Sequence, residues 1–318
     1  MKLGPGRLAL AGITHHTVVL TLPVLALVSL YLGAIVAVAG RQSTGGSTST
    51  VSSTSAAVAG VIIFVAFLGV LFGILAMVQY VIGQHGFTLA EQGDDLHLRF
   101  GLFQVRNLTI PRRRVQHITI VDNPIRRALG IVALHLHSAA PIGGVEGRNG
   151  ATRFEVPILR RDDLDQFLHA LMGGDWHVPP LVPRPPAARR RAVTRRVMVL
   201  ALVLLPPSLV WLPGSLGLLA FALLGIPWGL LAHRRAGHAE TAEIVVLSHG
   251  VLRHHVDLLP ISRVQSCTSE QNPMQRSSKI GTLHVNVAGP SRDPHLYDMA
   301  DADVTRYLTE LPRQSRPR

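Results

Sequence analysis

Residues 18–39 (VVLTLPVLALVSLYLGAIVAVA) run for 22 positions without a charge, and residues 56–82 add 27 more in which only Gln79 is strongly polar. A bilayer core about 30 Å thick is crossed by about 20 apolar residues in helical form, so each stretch is long enough to span. The first is too long for the apolar core of a secretory signal, and a second follows it at once. Between them residues 40–55 (GRQSTGGSTSTVSSTS) are polar and nearly uncharged. A weaker pair occupies residues 197–212 and 215–232, with Pro206-Pro207 inside it and Pro213-Gly214 between its halves. Two short spans joined by a tight turn are expected there, with a re-entrant hairpin as the alternative; either arrangement leaves both ends on one side.

Charge sets the expected orientation. The chain is 47% hydrophobic and 16% charged, yet its net charge is +12. Of the 31 basic residues, two precede the first apolar stretch, one lies in the first loop, 17 lie in residues 84–196, and 11 follow residue 232. Cytoplasmic segments carry the excess of arginine and lysine, most strongly beside the spans. Both termini and the long middle region are therefore expected in the cytoplasm, beside a membrane that the chain crosses several times.

An internal repeat organises the rest. Displacing the chain by 149 residues lays residues 101–139 over residues 250–288 without a gap, and thirteen of the 39 positions are identical. Among them are Pro111/Pro260, Arg114/Arg263, Val115/Val264, Gln116/Gln265, Asn123/Asn272, Pro124/Pro273, Arg127/Arg276 and His135/His284. The same offset carries the end of the second apolar stretch onto the end of the fourth. Within the unit, Leu96, Leu98 and Phe100 alternate with His97 and Arg99 as in a half-buried strand. Further strands are expected over residues 102–110, around Ile118 and Ile120, over residues 131–136, and at Phe154, Val156 and Ile158. Asn123-Pro124 supplies a cap and a first-turn proline for one helical turn. Leu164, Phe167, Leu168 and Leu171, then Val304, Tyr307, Leu308 and Leu311, give each copy a closing amphipathic helix. Expected boundaries are a cytoplasmic N-terminus (1–17), hairpin 1 (18–82), module 1 (83–173), a Pro/Arg-rich linker (174–196), hairpin 2 (197–232), module 2 (233–312) and a basic tail (313–318).

The segments IPRRRVQHITIVDNPIRRALGIVALHLHSA and LPISRVQSCTSEQNPMQRSSKIGTLHVNVA, each following an apolar hairpin, resemble the bacterial pleckstrin-homology-like membrane proteins. The resemblance covers most of the chain and implies a two-copy member: α-helical membrane hairpins alternating with mixed α+β modules, PH-like β-barrels each closed by a C-terminal helix. Copy two departs from the pattern at Ser277, Ser278 and Lys279, where copy one has Ala128, Leu129 and Gly130. Such folds serve phosphoinositide recognition in some settings and protein recognition in many, so fold alone does not choose an activity.

The chemistry of catalysis is not legible. A single cysteine, Cys267, excludes an internal disulfide and any CxxC site, and the sixteen histidines carry no zinc-ligand spacing. His135 and His137 share a strand face, but only His135 recurs, as His284. Gly144, Gly147 and Gly150 lack the Lys-Ser/Thr of a phosphate loop, no GxSxG elbow occurs, and no charged residue sits at mid-depth in a span. Neither enzyme nor pump is expected, and no cofactor or metal. The candidate interaction face is Asn123, Pro124 and Arg127 with Asn272, Pro273 and Arg276, the alternative being that each arginine braces its own turn. Arg189, Arg190, Arg191, Arg195 and Arg196 are candidate contacts to the inner leaflet. The function expected is a scaffold that binds another membrane-associated protein, or itself. Anionic lipid recognition and regulation of a transport system are the alternatives. Nucleic acid is not an expected partner, because nothing aromatic interleaves the arginines.

Overall fold

A computed structural model describes residues 4–15, 28–29, 33, 48–93, 95–138, 152–172, 176–210, 220–288 and 294–314. Most of the first apolar stretch, residues 18–39, lies outside them. The chain divides into two compact units: residues 1–11, 82–192 and 230–318 form one, residues 12–81 and 193–229 the other.

In the second unit, helix α2 (Thr48–Gly83) contains the one helix segment among the described residues that is long and apolar enough to cross a membrane, Ile63–Gly83. Its large side chains face outward, with Ile63, Phe64, Phe67 and Phe72 each at least 60% exposed, as suits a lipid-facing surface. Residues 186–210 form one helix, α5 (Pro186–Val210), which carries the arginine run into the third apolar stretch. Helix α6 (Gly225–Arg235) packs against it through two glycines four residues apart. A Cβ on Gly225 would sit 2.6 Å from Val197 N, and one on Gly229 would sit 2.5 Å from Val193 Cα. Small residues at this spacing let helix backbones approach closely.

The first unit holds the β structure. Copy one contributes β1 (Thr88–Gln92), β2 (Asp95–Phe100), β3 (Arg106–Pro111), β4 (Val115–Asp122), helix α3 (Pro124–Ala128), β5 (Ile131–Ser138), β6 (Thr152–Arg160) and helix α4 (Leu164–Met172). After the short strand β7 (Val182–Pro183), copy two repeats the order. It runs through β8 (Gly237–Glu240), β9 (Ile244–His249), β10 (His254–Pro260), β11 (Val264–Glu270), α7 (Pro273–Ser277), β12 (Ile280–Val287), β13 (His295–Ala300) and α8 (Asp301–Gln314). Helix α1 (Pro5–Ile13) precedes the first apolar stretch.

The 149-residue offset holds at the level of register. Phe100 faces Arg106 and His249 faces His255; His117 faces His137 and Ser266 faces Asn286. Even the irregularity recurs: β4 and β11 each shift register at the shared glutamine, Gln116 and Gln265. The β2–β3 and β9–β10 turns both need glycine. Gly101 has φ +110° and Gly250 φ +96°, and a Cβ would fall 2.1 Å from Gln104 O or 2.0 Å from Arg253 O. Position 130 is instead a left-handed glycine (φ +64°) whose counterpart, Lys279, adopts the same conformation with a side chain (φ +51°).

The strands do not close into barrels, which corrects the expected architecture. They form two three-stranded sheets, β1-β2-β3 and β11-β12-β13, and one seven-stranded sheet ordered β6-β5-β4-β10-β9-β8-β7. Closure would require the outer strands of one copy to pair with each other. Instead β4 of copy one pairs antiparallel with β10 of copy two, Val256 opposite Ile120 and Asp257 opposite Thr119. The two modules thus share one sheet. In copy two the core comprises Leu247, Leu259, Leu283, Val285, Leu296 and Met299, closed by Val304, Tyr307 and Leu311 of α8. Leu164, Leu168 and Leu171 bury the matching face of α4.

Gly250→Ala forces the new methyl onto a carbonyl in a left-handed backbone. It is expected to cost about 2–3 kcal/mol, measured by denaturant unfolding of the detergent-solubilised chain against Gly130→Ala, where the φ strain is present but nothing lies within 4 Å.

Candidate functional site

Both Asn-Pro turns are capped helical turns, and they are wired differently. In copy one Asn123 Oδ1 accepts the Arg126 backbone N–H at 2.8 Å, and Pro124 fills the first helical position. Arg126 is buried and donates to Ala11 O at 3.3 Å. Arg127 donates to the carboxylate of buried Asp122. That carboxylate is also approached by Arg161 Nη1 at 3.6 Å and by His254 Nδ1, on β10, at 3.5 Å. Burial pushes the Asp122 carboxyl up, but the hydrogen bonds from His254 and Arg127 outweigh it and hold it below its ordinary value. Arg127 therefore braces its own turn, through a carboxylate that also meets the neighbouring module.

In copy two the same positions differ. Asn272 and Gln275 form a reciprocal capping box, Oδ1 accepting from Gln275 N at 2.8 Å and Gln275 Oε1 accepting from Asn272 N at 3.0 Å. Gln275 Nε2 then donates to Asp298 Oδ1 at 2.9 Å and Thr282 Oγ1 at 3.1 Å. Arg191, from the arginine run, reaches the same Asp298 oxygen at 3.3 Å and donates to Asn272 Oδ1 at 3.3 Å. Pro273, Met274 and Arg276 are exposed, Met274 at 77%. Gln271 stands where copy one has Asp122, and Arg276 has no carboxylate partner among the described residues. The two arginines singled out by sequence are thus not equivalent: Arg127 is engaged with Asp122 and Arg276 is exposed.

The basic run also divides. Arg189, Arg190 and Arg195 are exposed, whereas Arg191 and Arg196 are half-buried. Upstream, Arg184 is buried and donates to Ala232 O at 2.9 Å and Tyr297 O at 3.2 Å. Its role, like those of Asp122 and Asp298, is not legible in the sequence pattern. The visible signal was the lone arginine set among the prolines of the linker, too far in sequence from its acceptors to be matched by pattern.

Beside the β4·β10 seam lies a cavity of about 170 Å³ lined by His117, His135, His137, His249, His255 and His295 with Thr119 and Asp257. His117 and His137 stack, centroids 3.9 Å apart, and burial pushes the His117 imidazole down to about 4. Thr119 Oγ1 donates to Asp257 Oδ1 at 2.7 Å, and His249 Nδ1 lies 3.8 Å from Oδ2. Burial pushes the Asp257 carboxyl up to about 6, against the pull of the Thr119 hydrogen bond. Among the described residues no group of three or more His, Cys, Asp or Glu is arranged to hold a metal ion.

Two outcomes follow. Asp122→Ala strands Arg127 and frees His254, and is expected to cost about 2–3 kcal/mol at neutral pH. Because the folded carboxyl is depressed, that contribution fades as pH falls through its folded pKa. Asp257 has the opposite sign: folded, it keeps its proton to about pH 6, while unfolded it loses it near 3.8. Its ionisation above pH 6 opposes folding, so Asp257→Asn is expected to gain stability over the parent at pH 8 and to lose that advantage below pH 4. The depressed His117 favours folding increasingly as pH rises from about 4 to 6.5, so the variant's pH profile is also steeper over this window. Unfolding curves at pH 4, 6 and 8 measure both.

Comparison with known proteins agrees with this duplicated architecture. The family model described as the bacterial PH domain matches residues 17–174 and again 197–311. The chain is 24% identical over 220 residues to the UPF0699 transmembrane protein YdbT of Bacillus subtilis (strain 168), covering 69% of this chain and 43% of that protein. It therefore spans less than half the length of the curated relative it matches. No solved structure matches. With two matches that together cover most of its length, the chain belongs to the bacterial PH domain family.

Proposed function

We propose that this chain is a non-enzymatic integral membrane protein whose joined PH-like modules form a docking platform for protein at the inner face of the membrane. In this reading the apolar hairpins cross the bilayer and the arginine-rich segments hold both modules and both termini in the cytoplasm. The observation that carries it is a sheet edge with no strand paired to it among the described residues, at β11, along which α8 packs while the strand's side chains stay exposed. Residues of β4 are buried throughout, whereas β11, its repeat counterpart, is exposed at Gln265, Ser266, Thr268, Ser269 and Glu270. An open edge offers unpaired backbone N–H and C=O groups, to which a partner adds a strand.

Lipid recognition is the second reading, favoured by the exposure of Arg189, Arg190, Arg195 and Arg276. Each basic residue near an anionic leaflet contributes about 1 kcal/mol of attraction, screened by salt. Photo-crosslinking in living cells separates the two, with probes at Ser269 and Arg276 and with buried Phe154 as control. Adducts of discrete protein mass from Ser269, persisting in high salt, are expected. Lipid-sized adducts at Arg276 with none at Ser269 would transfer the role to head-group binding.

A further inference from the structure

The β10·β4 ladder has a twin that is not made within the chain. The 149-residue offset converts β10 into β3 and β4 into β11, and both of those strands are edges of their sheets. Each keeps the strand register of its paired counterpart, with α8 packed along β11 as an added neighbour. β3 holds β2 in the register in which β10 holds β9, and β11 carries the bulge that β4 carries while still pairing with β10. Burial separates the two sets. Val256 and Leu258 of β10 are buried, but Asn107 and Thr109 of β3 are exposed, as is nearly all of β11.

We propose that β3 of one molecule pairs antiparallel with β11 of a second copy of this chain, in the register of the internal ladder. This deepens the scaffold reading by naming the partner. Transposed by the offset, the pairs His255–Val121, Val256–Ile120 and Asp257–Thr119 become Arg106–Glu270, Asn107–Ser269 and Leu108–Thr268. The first joins opposite charges, the second joins an amide to a hydroxyl, and none sets like charges face to face, the usual deterrent to edge pairing. Exposed apolar side chains flank the ladder's end. Phe103 and Met274 are 85% and 77% exposed, while Leu252 and Ile125, their counterparts beside the internal seam, are 39% and 42%. Each copy offers one β3 and one β11, so the contact is head-to-tail and builds a ring or an open row.

Two differently tagged full-length copies, both Cys267→Ser, are co-expressed, one with Asn107→Cys and the other with Ser269→Cys, and the membranes are mildly oxidised. Directly opposed residues in an antiparallel pair lie about 5 Å apart, within disulfide reach, and residues four positions off do not. A linked heterodimer is expected at about tenfold the yield of an off-register control pairing Asn107→Cys with Gln265→Cys. Adding Arg106→Glu to the first copy is expected to lower the yield, and adding Glu270→Arg to the second to restore it. A yield no higher than the control, with both chains in the membrane at parental levels, overturns the proposal. If a photo-probe at Ser269 then still traps a protein of another mass, the scaffold reading stands and only the second copy is excluded as its partner.

Discussion

The ladder between β4 and β10 is the contact on which the β structure depends. Every residue of β4 is buried, so its backbone groups have no water to turn to and must be satisfied by neighbouring strands. One side is met by β5 and the other only by a strand from the second copy. Around that seam the side chains are arranged to match. His254 meets Asp122 at one end, and Thr119 donates to Asp257 in the middle. Separating the modules would expose a strand with apolar residues on both faces and strand two carboxylates that are now buried.

Divergence between the copies follows from this asymmetry. Asp122 became the point at which copy one's turn meets copy two, and Arg127 and Arg126 are drawn inward with it. At the same positions copy two has Gln271, Arg276 and Gln275, and the turn is held by a capping box and by Arg191 instead. The loss of Gly130's equivalent did not change the backbone: Lys279 keeps the left-handed conformation, at the cost that a Cβ brings there. In the second copy the strand is polar, α8 lies along it, and the Asn-Pro turn is exposed.

Much of the fold was legible because it is local. Alternation at Leu96–Leu98–Phe100, the Asn-Pro caps and the leucine spacing of the closing helices depend on neighbours a few residues away, and each element formed where the pattern put it. Pairing between modules is not local, and a period of two does not say which strand lies alongside. The expectation of two closed barrels failed there. A trace was nevertheless present: β4 reads QHITIV where β11 reads QSCTSE, and a strand that is apolar at every other position and uncharged between them is suited to burial on both faces. Asp122 is not legible in the repeat because glutamine stands at its counterpart, Gln271, and identity between copies marks only the positions whose roles they share.

Arg184 and Thr119 carry a consequence for how the molecule is made. Thr119 bonds an aspartate 138 residues further on, and Arg184 caps carbonyls 48 and 113 residues downstream. A ribosome adding about 5–20 residues per second leaves β4 without its neighbour for roughly 7–28 seconds, while the third and fourth apolar stretches are being synthesised. During that interval the nascent first module presents at β4 an edge without a paired strand, as the folded chain does at β3 and β11. On a crowded polysome the nearest complementary strand can belong to another chain, so synthesis itself is the stage at which correct closure competes with exchange of modules between molecules.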